Sequence, residues 1–259
     1  MPLRSLLVFL IAVLLCGCQR PANAPLRVGM EMRYPPFEMR DPQGQPAGIS
    51  VDLARALGES LGRPVEFSDM PFAGLIPALK TGQIDIVISS MSATDERRQS
   101  IDFSDPYLQT GLCLLVTRHG DIESAADLDR PGRKVAVIKG TTGHIWATNE
   151  LKAAEPLVLL EEAAAALEVS QAKADAFIYD QMSVLRNSLK YPDTTRPLLT
   201  PFKKEGWAVA LPKGSDALRT QINTALANFR AKGGFEKLGD KWLSEQKAEF
   251  KKRGVPFVF

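Results

Sequence analysis

IDIVISSMSATDERR, residues 84–98, is the stretch of sequence that decides the fold. Its first five residues, which are apolar and branched except for Asp85, are typical of a buried strand, and serines follow directly. Thr94 is placed to cap a short helix whose first two residues are acidic, which suits the positive end of a helix dipole. Arg97 comes third, a poor place for a cation unless an anion lies nearby. The stretch therefore predicts either an anion site at the end of a strand or a surface turn with Arg97 in water.

Strand and helix signals alternate on both sides of this stretch. Upstream come a strand from Leu26, a helical period over 50–62, a strand at 65–67 and a helix through 75–82. Downstream lie strands at 112–118, 134–140 and 174–180, helical segments between them, a return strand at 207–212 and helices at 216–230 and 235–244. This alternation predicts α/β units with mostly parallel sheets. Because no Gly/Ser-rich linker separates the two similar sets, we expect two lobes that share strands and enclose a cleft.

The composition excludes several classes of function. The 259 residues include 32 Lys and Arg against 30 Asp and Glu, so the chain lacks the basic face that nucleic-acid binding needs. The two histidines and three cysteines form no pairs at metal-ligand spacing. We therefore expect no nucleic-acid partner, no metal and no cofactor.

The first residues have the pattern of an export signal. A basic Arg4 precedes an apolar run over 6–16, which is too short to span a bilayer. The run ends in LCGC, residues 15–18, which resembles the bacterial lipobox. That resemblance implies a lipoprotein signal peptide over 1–17 and a lipid-modified Cys18, with an ordinary signal peptide as the alternative. Cys113 would then be the one thiol left, without a partner for an internal disulfide.

The other motifs occur in the order and spacing of a known family. They are YPPFE at 34–38, GISVDLARALGESLG at 48–62, FAGLIPALKTGQIDIVISSMSATDERRQSIDFSDPY at 72–107, VIKGTTG at 137–143, ADAFIYD at 174–180 and WAVALPKGS at 207–215. In this respect the chain resembles the bacterial solute-binding proteins of family 3, the extracytoplasmic receptors of polar amino acid importers. The similarity runs over about residues 26–243.

The resemblance implies the type II periplasmic-binding-protein fold, in which two α/β lobes joined by two hinge crossings close on a ligand. It assigns residues 26–108 and 206–259 to lobe 1 and residues 109–205 to lobe 2. The crossings, and with them the hinges, are expected near residues 107–111 and 203–207.

The resemblance also implies a receptor for an amino acid zwitterion. Arg97 matches the arginine that binds the α-carboxylate, since a guanidinium can hold a carboxylate with two parallel hydrogen bonds. Ser92 and Thr142 match residues that complete the oxygen shell, Thr142 from the second lobe. Asp180 matches the aspartate that receives the α-ammonium, with capping of the next helix as the alternative. The backbone carbonyl of Ser90 is expected to be the second ammonium acceptor.

Three further residues are expected around the side chain of the ligand. Tyr34 and Phe72 match rings that face it from opposite sides, the alternatives being a loop anchor and a core residue. Glu31 matches a carboxylate that reaches its distal part, or else orders the YPPFE loop. An acid beside two rings favours a cation, because rings cover the aliphatic stem and attract positive charge. We therefore expect a polar, and preferably basic, amino acid.

Two positions depart from the family pattern. Ala172 stands where glycine is usual, at a turn that we do not expect to touch the ligand. Gly143 stands where many relatives have a side chain that reads the ligand, which weakens any prediction of specificity. The adjacent His144 is expected to be a solvated residue at a helix start.

The resulting prediction is a binding protein that delivers an amino acid to the membrane subunits of an ABC importer and has no enzymatic activity. It would be a monomer in the periplasm or cell envelope, anchored to the membrane by lipid. The alternatives are a cleft enzyme of the cyclohexadienyl-dehydratase type, with Glu31 or His144 as its general acid, and a sensory amino-acid-binding module.

Overall fold

The structure, a computed structural model, describes residues 24–256 of the chain. The signal peptide and Cys18 lie outside the described residues, so the export signal and the lipidation stay predictions. Within residues 24–256, no helix has both the length and the hydropathy needed to cross a membrane.

The strands and helices alternate along the described residues. The strands are β1 (Leu26–Met30), β2 (Met39–Arg40), β3 (Pro46–Ala47), β4 (Val65–Asp69), β5 (Ile86–Val87), β6 (Ile101–Phe103), β7 (Leu108–Thr117), β8 (Lys134–Ile138), β9 (Glu155–Leu159), β10 (Ala176–Asp180), β11 (Thr195–Trp207) and β12 (Ala210–Pro212). The helices are α1 (Ile49–Ser60), α2 (Phe72–Lys80), α3 (Asp95–Arg98), α4 (Thr142–Glu150), α5 (Glu162–Ser170), α6 (Gln181–Lys190), α7 (Asp216–Ala231), α8 (Gly234–Trp242) and α9 (Ser244–Lys252).

Two five-stranded sheets form the centres of the two lobes. Their strand orders are β4-β1-β5-β12-β6 in lobe 1 and β11-β7-β10-β8-β9 in lobe 2. In each sheet four strands run in the same direction and one runs against them, so the sheets are mostly parallel, as expected from the sequence. The reversed strands are β12 in the first sheet and β7 in the second. Both lie next to the crossings, where an antiparallel neighbour needs no helical connection.

Both faces of each sheet are covered. In β7, Leu112, Leu114 and Val116 pack in one apolar cluster, while Cys113 and Leu115 pack in another. Successive side chains of a strand point to opposite faces of the sheet, and both faces of β7 are buried. This explains why the sequence of β7 is a continuous apolar run. The fold is therefore the two-lobed α/β arrangement that was predicted.

The two predicted crossings lie side by side. Glu205 pairs with Thr110 and Trp207 with Leu108, in an antiparallel ladder between the start of β7 and the end of β11. Beyond Trp207 the chain enters β12 in the first sheet. The two connections therefore form one paired ribbon between the lobes.

Some elements differ from the sequence prediction. The apolar run at 84–88 forms only the two-residue strand β5, because the chain soon leaves the sheet at Ser90, whose φ is +50°. The helical segment expected between the strands at 112–118 and 134–140 is a single 3-10 turn over Ala125–Asp127. The strands β2, β3, β6, β9 and β11 and the helix α9 were not predicted, and α6 was anticipated only by the alternative in which Asp180 caps the next helix.

The turn at Ala172 has the left-handed backbone geometry that favours glycine, the residue usual at this position in the family pattern. Ala172 has a φ of +55° directly after α5, a conformation that costs a residue with a Cβ roughly 1–2 kcal/mol. It is exposed and does not line the cleft.

Candidate functional site

The cleft between the two sheets encloses a cavity of about 40 Å³. It is lined by residues of both lobes and of the crossing strands: Glu31, Tyr34, Glu38, Phe72, Ser89, Ser90, Ser92, Arg97, Leu112, Thr141, Thr142, Gly143, Tyr179, Asp180, Glu205 and Trp207. All eight ligand-binding residues predicted from the sequence are in this set. Their roles toward a ligand remain proposals, but their grouping around one cavity is a property of the fold.

Arg97 is held at the cavity by α3. The Thr94 side chain accepts a hydrogen bond of 3.2 Å from the Arg97 backbone amide, so the predicted N-cap is confirmed. The Arg97 side chain is buried and does not point to water. Its Nη1 donates to the carbonyl of Ser92 at 2.7 Å, its Nη2 to the carbonyl of Gly140 at 3.0 Å, and its guanidinium lies 5.5 Å from the centre of the Phe72 ring.

The charge on Arg97 is maintained in this buried position. Burial lowers the pKa of Arg97 to about 10, while the nearby carboxylates of Glu205 and Glu96 act to raise it. A group with a pKa of about 10 is protonated at neutral pH. The site therefore contains a fixed, partly desolvated cation with several N–H donors, which suits an anionic group.

The Ser92 and Thr142 hydroxyls share an acceptor that the sequence analysis did not identify. Ser92 Oγ donates to Glu205 Oε2 at 2.6 Å, and Thr142 Oγ1 donates to the same oxygen at 2.9 Å. Both hydroxyl protons are thus directed at Glu205. A ligand carboxylate at this position would meet Arg97 and the backbone amides of the surrounding segments.

Asp180 lines the cavity and also caps a helix. Its Oδ1 accepts hydrogen bonds from the backbone amides of Met182 and Ser183 at 2.9 and 3.1 Å, so it is the N-cap of α6. Both cap bonds end on Oδ1, and capping does not require Oδ2. The two roles considered for Asp180 from the sequence, acceptor for an α-ammonium group and cap of the next helix, are therefore compatible. Burial raises the pKa of Asp180 to about 6.

The aromatic residues of the site form a connected group. The rings of Tyr34 and Phe37 stack at 5.3 Å, and Tyr34 meets Tyr179 of lobe 2 edge-on at 5.9 Å. Phe72 stands elsewhere on the lining, against Arg97. Tyr34 is thus both a packed loop residue and part of the cavity wall.

Two further carboxyl groups face the cavity from lobe 1. Glu38 is buried and accepts hydrogen bonds from Ser50 Oγ at 2.6 Å, Ser90 Oγ at 3.1 Å and Ser89 Oγ at 3.3 Å. Burial raises the pKa of Glu38 to about 8. Burial also raises the pKa of Glu31, and the Phe72 backbone amide acts in the opposite direction.

Gly143 and His144 differ in their relation to the cavity. A Cβ at Gly143 would lie 2.9 Å from the carbonyl oxygen of Ile178, so glycine is needed for the close approach of α4 to β10. His144 is not part of the cavity lining, and its Nδ1 accepts a hydrogen bond of 3.2 Å from the Gly140 amide. Of the two candidate acids for an enzyme, only Glu31 therefore lies at the cavity.

Glu38, Tyr179, Glu205 and Trp207 were not named as site residues by the sequence analysis. Glu38 ends the YPPFE motif and Glu205 lies in a predicted crossing, so both were near recognised signals. In the described part of the chain, no cluster of His, Cys, Asp and Glu is arranged to hold a metal ion.

Several proteins of similar sequence and structure are amino acid-binding proteins. The L-arginine-binding protein of Pseudomonas aeruginosa is 34% identical over 233 residues, which cover 86% of this chain and 89% of that protein. An ancestral arginine-binding protein bound to arginine superimposes with a TM-score of 0.78 and 34% identity, covering 86% of this chain and 99% of that one. An ancestral amino acid-binding protein described as a precursor of cyclohexadienyl dehydratase gives 0.77 and 37%, covering 86% and 96%.

The family assignment rests on the whole length of the fold. The sequence pattern of the family matches residues 26–245, which include both sheets and both crossings. The chain therefore belongs to the bacterial extracellular solute-binding proteins, family 3.

Proposed function

We propose that this protein binds a basic amino acid between its lobes and delivers it to an ABC importer. The observation that carries the proposal is the charge of the cavity lining. Three carboxyl groups, those of Glu31, Asp180 and Glu205, stand against the single guanidinium of Arg97, while Glu38, with a pKa of about 8, is protonated and neutral at pH 7. An amino acid with a cationic side chain brings one negative and two positive charges, which matches such a lining better than an acidic or neutral ligand does.

The backbone of the ligand would lie between Arg97 and Asp180. The Arg97 guanidinium would bind the α-carboxylate, while Asp180 and the carbonyl of Ser90 would accept from the α-ammonium. Thr142 and Ser92 would border the carboxylate through their backbone amides, because their hydroxyls donate to Glu205. Each charged group of the zwitterion would then have a partner of opposite charge, as buried ions require.

The side chain of the ligand would extend toward Glu31, between Tyr34 and Phe72. A guanidinium or ammonium group there would offset the unfavourable burial that raises the pKa of Glu31. Arginine, lysine, ornithine and histidine are therefore preferred to glutamine. Glutamate and aspartate would place a like charge beside Glu31 and should be rejected.

Binding would close the lobes about the crossings at 107–111 and 203–207. Lobe 1 supplies Arg97 and lobe 2 supplies Asp180, so both ends of the zwitterion are bound only when the lobes meet. A ligand that contacts both lobes favours the closed state by its additional contacts there. The family places this activity outside the cytoplasm, and we propose a monomer anchored through a lipid on Cys18.

We further propose that the protein has no enzymatic activity. His144 lies outside the cavity lining, and Glu31 has a role in binding a cation under the present proposal. The relative described as a precursor of cyclohexadienyl dehydratase keeps the enzymatic alternative open to test. Incubation with prephenate or with amino acids, followed by mass spectrometry, should yield no new mass; a protein-dependent product would contradict the proposal.

The ligand class is tested by a thermal-shift panel of the twenty amino acids. We expect the largest stabilisation from arginine, lysine or histidine, with ornithine added to the panel, and none from glutamate or aspartate. Glu31→Gln should reduce the preference for the cationic ligands over glutamine. A best response from an acidic or branched aliphatic amino acid, or an unchanged ranking in the variant, would refute the role of Glu31.

A further inference from the structure

Glu205 connects the two lobes from its position in the crossing. Its Oε2 accepts a hydrogen bond from Ser92 at 2.6 Å and one from Thr142 at 2.9 Å. Ser92 belongs to the segment that leads from β5 to α3 in lobe 1, and Thr142 begins α4 in lobe 2. Glu205 itself lies on β11, paired with Thr110. One carboxylate oxygen thus joins three parts of the molecule that meet at the cleft.

The surroundings of this group make it part of the cleft wall. Ser92, Thr142 and Glu205 line the cavity and also line a groove on the outer surface beside Lys203 and Lys204. The three side chains therefore separate the cavity from the outside of the crossing. The second carboxylate oxygen of Glu205, Oε1, is buried without a hydrogen-bond partner among residues 24–256.

The contact with lobe 1 is fixed by the backbone. The Ala93 amide donates to the Gly206 carbonyl at 2.9 Å, and Ser92 forms a β-bridge with Trp207. These bonds keep Ser92 beside the crossing strand. Thr142 is attached to lobe 2 through α4, which packs on β8 and β10. If the lobes rotate apart, Ser92 and Thr142 move with different bodies, and one carboxylate oxygen cannot remain bonded to both.

We propose that Glu205 is a positioning residue that latches the closed cleft. The latch consists of Ser92 Oγ, Glu205 Oε2 and Thr142 Oγ1, and it is complete only when the lobes are closed. It slows release of the ligand without touching the ligand. The inference rests on the proposed function for the identity of the ligand, but the latch itself depends only on lobe closure.

Closure without any ligand can be measured by cross-linking two cysteines. Arg33 Nη1 and Glu161 Oε1 face each other across the cleft at 3.9 Å, and both side chains are exposed. Because these long side chains meet only at their ends, an Arg33→Cys/Glu161→Cys pair is trapped with a short bismaleimide and not by a direct disulfide, and the rate of cross-linking reports the closed population. Cys113 is buried, so it does not compete for the reagent. We expect Glu205→Ala to slow trapping at least threefold.

The matched control is Glu96→Gln. Glu96 is an exposed carboxylate that, like Glu205, acts electrostatically on Arg97, but it has no bond to Ser92 or Thr142. It should leave the trapping rate unchanged. Glu205→Gln keeps the size of the side chain and one acceptor oxygen, and it should lie between the wild type and Glu205→Ala. An equal trapping rate in wild type and Glu205→Ala would overturn the latch.

Release of L-arginine provides the second readout, followed by intrinsic tryptophan fluorescence, to which Trp207 in the cavity lining contributes. Glu205→Ala should raise the dissociation rate constant about tenfold, as expected when hydrogen bonds to a charged group are lost. Thr142→Val should have little further effect in the Glu205→Ala background, because both act through one bond. If each substitution instead raised the dissociation rate constant independently, so that the two factors multiplied, the Thr142 hydroxyl would contact the ligand directly. If Glu205→Ala released arginine more slowly than wild type, the Glu205 carboxylate would compete with the ligand. Either result would overturn the proposal.

The two readouts separate this proposal from the proposed function. If neither arginine nor any other amino acid binds the wild-type protein, the proposed function fails, and the trapping rates alone decide the latch. If arginine binds while trapping and release are both unaffected by Glu205→Ala, the latch fails and the proposed function stands.

Discussion

Arg97 in lobe 1 donates a hydrogen bond of 3.0 Å from Nη2 to the backbone carbonyl of Gly140 in lobe 2. The residue proposed to bind the ligand carboxylate is therefore also a contact between the lobes. Its Nη1 is fixed by the carbonyl of Ser92 and its plane by the Phe72 ring. A guanidinium held at both Nη atoms is preorganised, so little conformational entropy is lost when it meets a carboxylate.

Replacement of Arg97 should abolish amino acid binding. Arg97→Ala removes a desolvated charge pair with the ligand, and such a loss costs on the order of 2–5 kcal/mol, or about 30-fold or more in Kd. Calorimetric titration measures the effect. The matched control is Arg98→Ala, since Arg98 is the next residue of α3 and its guanidinium lies over Phe103. Binding by Arg97→Ala within threefold of wild type would exclude the assigned role.

Asp180→Asn separates the two roles of that residue. Asparagine is as good an N-cap as aspartate, so α6 should keep its cap and the midpoint of thermal unfolding should change little. The α-ammonium, in contrast, would lose its anionic partner, and affinity should fall by about tenfold or more because charge-assisted bonds are the stronger ones. Equal affinity in the variant and wild type would show that the cap is the whole function of Asp180.

The raised pKa of Glu38 predicts that the free energy of unfolding of the ligand-free protein depends on pH. Its pKa rises from 4.5 to about 8 on burial, so between these values the folded protein holds a proton that the unfolded chain has lost. The free energy of unfolding should therefore fall as pH rises through this window, by up to about 1.4 kcal/mol per pH unit. Below pH 4.5 this contribution is fully present.

Denaturant titrations at several pH values between 6.5 and 8 measure this effect, in a range that lies above the pKa of Asp180, about 6. Glu38→Gln should flatten the dependence, whereas Glu66→Gln, at an exposed position of β4, should leave it unchanged. A slope that is the same in Glu38→Gln and in wild type would contradict the protonated, buried state of Glu38.

The proposed anchor predicts a chemical difference between two nearby cysteines. Expressed from its full sequence in a bacterial host, the protein should partition into the detergent phase in a Triton X-114 separation. Cys18→Ala should move it to the aqueous phase or leave the precursor unprocessed, because the acyl chains that hold a lipoprotein in a membrane are then absent. Cys16→Ala is the control and should behave as wild type. Detergent partition of mature Cys18→Ala would rule out lipidation at that cysteine.

The sequence predicted the parts of the site that lie in local motifs. The Thr94 cap and the position of Arg97 after a buried strand are visible in a few consecutive residues, whereas Asp180 was assigned through the family resemblance of its motif. The relation of Glu205 to Ser92 and Thr142 joins residues that are 113 and 63 positions apart, and no local pattern encodes it.

The dependence of structure on residues distant in the sequence also explains the errors in the predicted fold. The run at 84–88 has the composition of a longer strand, but the turn at Ser90 ends the pairing early. The bounds of the helix α6 were not predicted, although the alternative role given to Asp180 implied a helix there, because its sequence follows a recognised strand directly. The antiparallel strands of the crossings depend on how the lobes are joined, which hydrophobic periodicity does not report.

The most direct test of the account is a calorimetric titration with L-arginine and two analogues that each lack one charged group of the zwitterion. Agmatine lacks the α-carboxylate that Arg97 would bind, and 5-guanidinopentanoic acid lacks the α-ammonium that Asp180 and Ser90 would bind. We predict one arginine bound per chain and, for each analogue, an affinity about 30-fold lower or worse, since each leaves a buried charge of the protein without its partner. Binding of either analogue within threefold of arginine would contradict the central claim that the cleft recognises an intact, basic amino acid.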